Sequence, residues 1–87
     1  MDDLVARDAR VLWHPATHLD DLARLPVSAI VSAQGAWLQE ASGRRILDGI
    51  GSWWTSIHGH GHPRIVAAIQ AQAARLDHVM FAGFTHA

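Results

Sequence analysis

The stretch Asp48-Gly-Ile-Gly-Ser-Trp-Trp-Thr-Ser-Ile-His-Gly-His-Gly-His-Pro63 lies between two regularly patterned segments and decides how they are joined. It combines two adjacent tryptophans, four glycines and three histidines at every second position. Glycine adopts backbone conformations that other residues avoid, and tryptophan offers a large, flat apolar surface. This mixture does not suit a regular helix or strand. It predicts a shaped loop between two elements, which is where functional residues are often found.

Three short segments before the loop have the two-residue period typical of strands. They cover residues 27–33, 36–40 and 45–48, and Trp37 and Leu38 are expected on opposite faces of the second. Gln34-Gly35 and Ala41-Ser42-Gly43-Arg44 separate them, and Gly43 suits a turn with positive φ. The pattern therefore predicts a three-stranded antiparallel meander.

Helical patterns lie at both ends of the chain. Residues 2–11 predict a short amphipathic helix with Asp2 and Asp3 at its N-terminus and with a buried stripe of Leu4, Val5 and Val11. Residues 18–26 fit either a helical turn or a surface loop.

The second helix is predicted over residues 63–77. Pro63 suits its first position, and Ile65, Ile69, Ala73 and Leu76 recur at helical spacing. The sequence as a whole predicts an α+β fold, with a short N-terminal helix, the meander and one amphipathic helix.

Composition limits the functions that are open to the chain. It has 87 residues, a net charge of −1 and no cysteine, which argues against a nucleic-acid-binding face, a polybasic membrane patch or a disulfide framework. The basic residues are seven arginines and seven histidines, so no lysine is present for Schiff-base chemistry. The acidic start lacks the basic head of a signal peptide, and we expect a cytoplasmic protein.

Several groups of residues have two interpretations each. Trp53 and Trp54, adjacent in an extended loop, are expected to point to opposite sides; either both pack in the core, or one faces a pocket while the other anchors the loop in the core. Pro15, beside Trp13 and His14, either walls a pocket or anchors the N-terminal arm. The segment Met80–Phe84 suits either an interface or an ordinary core.

The histidines His58, His60 and His62 would share one face of an extended segment and could bind a divalent metal. Their spacing is unspecific, and turn residues are the alternative interpretation. Asp48 and Asp77 have no evident partner in the sequence. A metal-binding module and an interaction fragment therefore remain alternative functions.

Four strings in order resemble a known family. They are Leu12-Trp-His-Pro-x-Thr17, Gly43-Arg-Arg-x-Leu-Asp-Gly49, Ser52-Trp-Trp-x-x-Ile-His-Gly-x-x-His-Pro63 and His78-Val-Met-Phe-x-Gly-x-Thr-His86. Together they resemble the N-terminal segment of class III pyridoxal-phosphate-dependent aminotransferases. Within that class they resemble the adenosylmethionine–8-amino-7-oxononanoate aminotransferase (diaminopelargonic acid synthase) family. The resemblance covers nearly all of the chain.

The resemblance implies the N-terminal part of a fold-type I transferase, an incomplete domain over residues 1–87. It implies a homodimeric enzyme of biotin biosynthesis that uses pyridoxal 5'-phosphate. The reaction moves the amino group of S-adenosylmethionine onto 8-amino-7-oxononanoate and gives 7,8-diaminononanoate. The cofactor lysine and the phosphate-binding loop would lie beyond residue 87, so no catalytic, cofactor-binding or metal-binding residue is expected in this chain.

The resemblance also implies roles for residues that are present. Substrate-binding roles fall on Trp53, Trp54 and Pro15, and an approach to the partner subunit's site falls on Met80, Phe81 and Ala82. Two departures stand out: Ala16 replaces an aromatic residue, typically tyrosine, and Ala82 replaces a glycine.

Overall fold

The computed structural model describes residues 2–87, which form two long helices, one 3-10 helix, one helical turn and one sheet. In chain order these are α1 (Asp2–Val11), a 3-10 helix (Leu19–Ala23), β1 (Ile30–Gln34), β2 (Trp37–Glu40), β3 (Arg45–Leu47), α2 (Gly51–Trp54) and α3 (Pro63–Arg75). The α+β prediction is confirmed.

The sheet is the predicted antiparallel meander, in the order β1-β2-β3. Gly35 and Gly43 have φ values of 58° and 94° in its two turns, and the positive φ predicted for Gly43 is confirmed. The first strand begins at Ile30 rather than at residue 27. Its pairing ends at Ile30↔Glu40, because β2 stops at Glu40 and the chain turns away into β3.

Helix α1 has the predicted bounds, and the ambiguous segment 18–26 contains the 3-10 helix. After α1 the chain is tied back, since His14 Nε2 lies 2.6 Å from Asp8 Oδ2. The buried stripe predicted for this helix is wrong. Val5 is only half-buried, beside a small cavity that Leu22 also lines, whereas Leu4 is exposed and Val11 is 79% exposed.

Helix α3 begins as predicted and ends two residues early. Pro63 occupies the first turn, and the His62 Nδ1 atom accepts a hydrogen bond from the Arg64 N–H at 3.2 Å. The helix stops at Arg75 because Leu76 has extended backbone angles (φ −162°, ψ 115°).

Residues 2–87 form no hydrophobic core of their own, since no described residue as a whole is buried. The radius of gyration is 17.1 Å, whereas a compact domain of this length has about 12 Å. The accessible surface is 7474 Å², against about 5,000 Å² for a compact monomer of this mass. Along the described chain, no helix combines the length and the apolar character needed to cross a bilayer.

Candidate functional site

The tryptophan pair lies on a helical turn of left-handed sense. All four residues of α2 have positive φ: Gly51 56°, Ser52 48°, Trp53 62° and Trp54 71°. The ψ values of Ser52 and Trp53 are both 52°, which places them in the left-handed helical region. Backbone bonds of 3.1 Å from Trp54 N–H to the Ile50 carbonyl and 3.0 Å from Thr55 N–H to the Gly51 carbonyl close the turn.

The carboxylate of Asp48 holds the start of this turn. Its Oδ1 accepts from the Ser52 N–H at 2.9 Å, and its Oδ2 accepts from the Ser52 hydroxyl at 2.7 Å. The side chain is only 5% exposed. The Ser52 N–H bond, the His60 ring and the Ser52 hydroxyl lower the pKa of Asp48 to about 2.

His60 reaches the same carboxylate from the far end of the loop. Its Nε2 lies 2.6 Å from Asp48 Oδ2, and the ring is 19% exposed. Because Asp48 is ionised above the low pKa just given, Nε2 is the atom that carries the donated proton. Asp48, Ser52 and His60 therefore form one hydrogen-bonded group, which we call the Asp48 clamp.

The backbone fixes the Asp48 clamp to the sheet. The Asp48 N–H donates to the Ala36 carbonyl at 2.8 Å. His60 and Gly35 exchange two backbone bonds, of 2.8 and 2.9 Å. Both ends of the loop are thus attached to the turn between β1 and β2.

Gly59 packs directly against that turn. A Cβ atom there would lie 3.2 Å from the Gly35 Cα, and the φ of Gly59 is 77°. A cavity of about 160 Å³ lies beside this contact and is lined by Gly35, Ala36, Asp48, Gly51, Ser56, Gly59 and His60. Only glycine satisfies both the backbone angle and the close approach.

The structure corrects the expected geometry of the tryptophan pair. The two side chains leave a left-handed turn, and not an extended loop that would send them to opposite sides. Trp53 is 59% exposed and Trp54 87% exposed, so neither anchors a core within residues 2–87.

The other residues with predicted binding roles lie apart from the clamp in the chain. Pro15 is exposed in a turn whose carbonyl accepts from the Thr17 hydroxyl at 2.8 Å. Met80, Phe81 and Ala82 are exposed in the non-helical segment after α3. No hydrogen bond within the described part of the chain joins Pro15 or this segment to the tryptophan pair.

The three histidines do not share one face. His60 turns to Asp48 and His62 caps α3, while the His58 and His62 rings meet edge to face with centroids 6.3 Å apart. Residues 2–87 contain no group of three histidine, cysteine, aspartate or glutamate side chains placed to hold a metal ion. The structure therefore does not favour the metal-binding alternative.

The role of Asp48 is not predicted from the sequence, in which it has no evident partner. An aspartate shortly before a Gly-Ser pair can cap a turn through its side chain, and that signal was available. The bond to His60 has no local signal, because it depends on closure of the whole loop.

Comparison with known proteins identifies the class. The family profile described as class-III aminotransferase matches residues 21–87, and the chain belongs to this family.

Individual relatives of this chain carry a more specific name than the family. The chain is 53% identical over 75 residues to the adenosylmethionine-8-amino-7-oxononanoate aminotransferase of Synechococcus elongatus, covering 86% of this chain and 17% of the relative. It is 40% identical over 89 residues to the Mycobacterium leprae protein of the same name, covering 98% of this chain and 20% of the relative. The chain thus spans about a fifth of the length of these relatives.

Solved structures agree on the fold. The crystal structure of the Methanocaldococcus jannaschii protein of that name superposes with a TM-score of 0.91 at 27% identity, over 99% of this chain and 20% of that one. An (S)-enantioselective omega-transaminase from Thermomicrobium roseum gives 0.87 at 34% identity, over 98% of this chain and 19% of that one. The resemblance to the N-terminal part of a fold-type I transaminase is confirmed.

Proposed function

We propose that this chain is the N-terminal segment of a transaminase that moves the amino group of S-adenosylmethionine onto 8-amino-7-oxononanoate in biotin biosynthesis. The observation that carries the proposal is the 53% identity to the Synechococcus elongatus relative, which is named for this reaction. The product is 7,8-diaminononanoate. The proposed enzyme is cytoplasmic and has no nucleic-acid or membrane partner.

The surface of the chain supports a role as part of a larger unit. Its accessible area exceeds that of a compact monomer by about 2,500 Å², which is about what one partner buries in a large obligate interface. The exposed apolar side chains include Leu12, Trp13, Ile50, Trp53, Trp54, Ile57, Ile69 and Phe81. Further protein surface, from the same chain or a partner, would cover them.

Within that enzyme, Trp53 and Trp54 form part of the substrate wall, together with Pro15. A long aliphatic keto acid and an adenine ring both bind well to flat apolar surfaces. The exposure of both indoles, on a turn that is held from below by Asp48, supports this role.

The segment after α3 contributes to the dimer. Met80, Phe81 and Ala82 would approach the active site of the partner subunit in a homodimer. Their support is the exposure of Met80 and Phe81 on a segment that has no covering element among residues 2–87.

The cofactor, pyridoxal 5'-phosphate, would be held by residues outside this sequence. When bound, it supplies the electron sink for amino-group transfer. The residues present do not fit a site for it, since the sequence contains no lysine for the covalent attachment. The 87 residues alone are therefore proposed to be inactive.

A chimera tests the proposal. This segment replaces the matching 75 residues of the Synechococcus elongatus relative, and transfer from S-adenosylmethionine to 8-amino-7-oxononanoate is measured. We expect activity in the chimera and none in the 87-residue chain. A correctly folded chimera without activity on these substrates contradicts the proposal.

The wall residues are tested in the same chimera. Trp53→Ala should raise KM for 8-amino-7-oxononanoate by about ten- to hundredfold, because an aromatic contact surface is lost. Trp53→Phe, which keeps a flat ring, serves as the matched variant and should retain most of the affinity. Equal KM values for both variants and the parent would contradict the proposed role of Trp53 in substrate binding.

A further inference from the structure

The backbone beneath the tryptophan pair is strained. Ser52, Trp53 and Trp54 are three consecutive residues with side chains and with positive φ. L-residues avoid this region because Cβ approaches the following carbonyl oxygen, and runs of such residues are rare. Strain of this kind persists only where the surrounding structure determines it, and it is concentrated at functional sites.

The Asp48 clamp supplies the groups that hold the strained turn. Asp48 accepts both hydrogen bonds from Ser52, at 2.9 and 2.7 Å, and His60 binds the same carboxylate at 2.6 Å. The Asp48 clamp is shielded from solvent, whereas the tryptophan side chains that it supports are exposed. The Asp48 and His60 side chains are 5% and 19% exposed, far less than either indole above them.

The clamp is also tied to a rigid element. Asp48 and His60 come from opposite ends of the loop, and backbone bonds attach both to the turn between β1 and β2. If the His60 ring is displaced, its contact with Asp48 is lost, and this contact is one of those that connect the strained turn to the sheet.

We propose that Asp48 and His60 are positioning residues, which hold the left-handed turn and thereby place Trp53 and Trp54 toward the substrate. The inference rests on the proposed function, because it takes the tryptophan pair as a substrate wall. It adds that the affinity for substrate depends on two shielded polar side chains that do not themselves reach it.

The test uses His60 in the active chimera described above. His60→Ala removes the donor to Asp48, whereas His60→Gln carries an N–H donor that reaches about as far as Nε2. His58→Ala is the matched control, because His58 is an exposed histidine of the same loop and makes no hydrogen bond to any residue from 2 to 87.

Steady-state kinetics should separate positioning from simple loss of structure. We expect His60→Ala to raise KM for 8-amino-7-oxononanoate by about three- to tenfold, with kcat nearly unchanged, because substrate and transition state lose the same contact. His60→Gln should restore most of the affinity, and His58→Ala should match the parent. An unchanged KM in His60→Ala, or a fall in active protein alone, overturns the proposal.

A second measurement does not depend on activity. In the chimera labelled with 5-fluorotryptophan, the ¹⁹F resonances of Trp53 and Trp54 should shift in His60→Ala, return in His60→Gln and stay fixed in His58→Ala. Unmoved resonances in His60→Ala contradict the clamp even if the proposed substrates are wrong. Shifted resonances in a chimera that is inactive on these substrates uphold the clamp and reject the proposed function instead.

Discussion

At the scale of single residues, Gly59 is the position where the loop tolerates least change. Its φ is 77°, and a Cβ atom added there would lie only 3.2 Å from the Gly35 Cα, so both the angle and the contact act against any side chain. Gly59→Ala should cost about 1–3 kcal/mol of local stability in the chimera. Amide hydrogen exchange of residues 51–56 should therefore accelerate by about 5- to 150-fold.

Gly49 provides the control for this substitution. It has no positive φ, and a Cβ atom there would meet nothing within 4 Å. Gly49→Ala should leave the exchange rates of residues 51–56 near those of the parent. Equal acceleration by both variants would show that the contact with Gly35 is not what matters.

The lowered pKa of Asp48 predicts how the turn responds to acid. Its pKa of about 2 in the folded state lies below the ordinary value of 3.8, so the folded form favours the carboxylate. The resulting stability is fully present above about pH 4 and is lost as the pH falls from about 4 toward 2. The ¹⁹F shifts of Trp53 and Trp54 should follow that loss.

Two substitutions check this assignment. Asp48→Asn should shift the tryptophan resonances already at neutral pH and remove their acid transition between about pH 4 and 2. Asp20→Asn, a change in the exposed 3-10 helix, should leave the transition in place. A transition that persists in Asp48→Asn would assign it to another group.

Some properties of residues 48–63 are local enough to be predicted from the sequence, and others are not. The glycines and tryptophans of residues 48–63 predicted a shaped loop, because their conformational and surface properties are local. The left-handed sense of Gly51–Trp54 could not be predicted, since neither tryptophan prefers positive φ. The partner of Asp48 depends on His60, which only the folded loop brings near.

At the scale of elements, the predictions were better because periodicity is a local property. The meander, α1 and the start of α3 follow directly from alternation, turn residues and Pro63. The errors lie at element ends: β1 begins at Ile30 and β2 at Trp37, while β3 ends at Leu47 and α3 at Arg75. There the length of the neighbouring strand, or one extended residue, decides the boundary.

The cap of α3 can be improved by design. His62 accepts from the Arg64 N–H at 3.2 Å, but aspartate is a stronger N-cap and also favours the positive end of the helix dipole. In a peptide of residues 61–76, His62→Asp should stabilise the helix by about 0.5–1 kcal/mol. Circular dichroism should report more helix than in the parent peptide.

A second peptide, with the new charge at a position inside the helix, serves as the control. Gln70→Asp places the same side chain inside the helix, where aspartate is a weaker helix former than glutamine. It should lower the helix content. A gain of helix in both peptides would show that the charge, and not the cap, is responsible.

At the scale of the whole molecule, the surface predicts how the chain behaves alone. A radius of gyration of 17.1 Å and the lack of any buried residue in the described part leave the apolar faces in water. The isolated 87-residue chain should bind anilinonaphthalene sulfonate and associate with rising concentration in sedimentation. The chimera should show much weaker dye binding per segment.

One outcome for the isolated chain would contradict this prediction. A monomeric 87-residue chain that unfolds cooperatively and binds no dye would mean that these faces need no cover. The buried stripe wrongly predicted for Leu4, Val5 and Val11 belongs to this scale as well. An apolar pattern identifies a face to be covered but not the surface that covers it.

The backbone bridge between Gly35 and His60 has a consequence for the order of folding. It joins residues far apart in sequence, so it can form only after the hairpin of β1 and β2 offers Gly35 as a fixed docking point. The His60 contact to Asp48 is added to the local Asp48–Ser52 bonds of the strained turn only from that moment. Substitutions in the turn should then speed unfolding and leave the rate of hairpin formation unchanged.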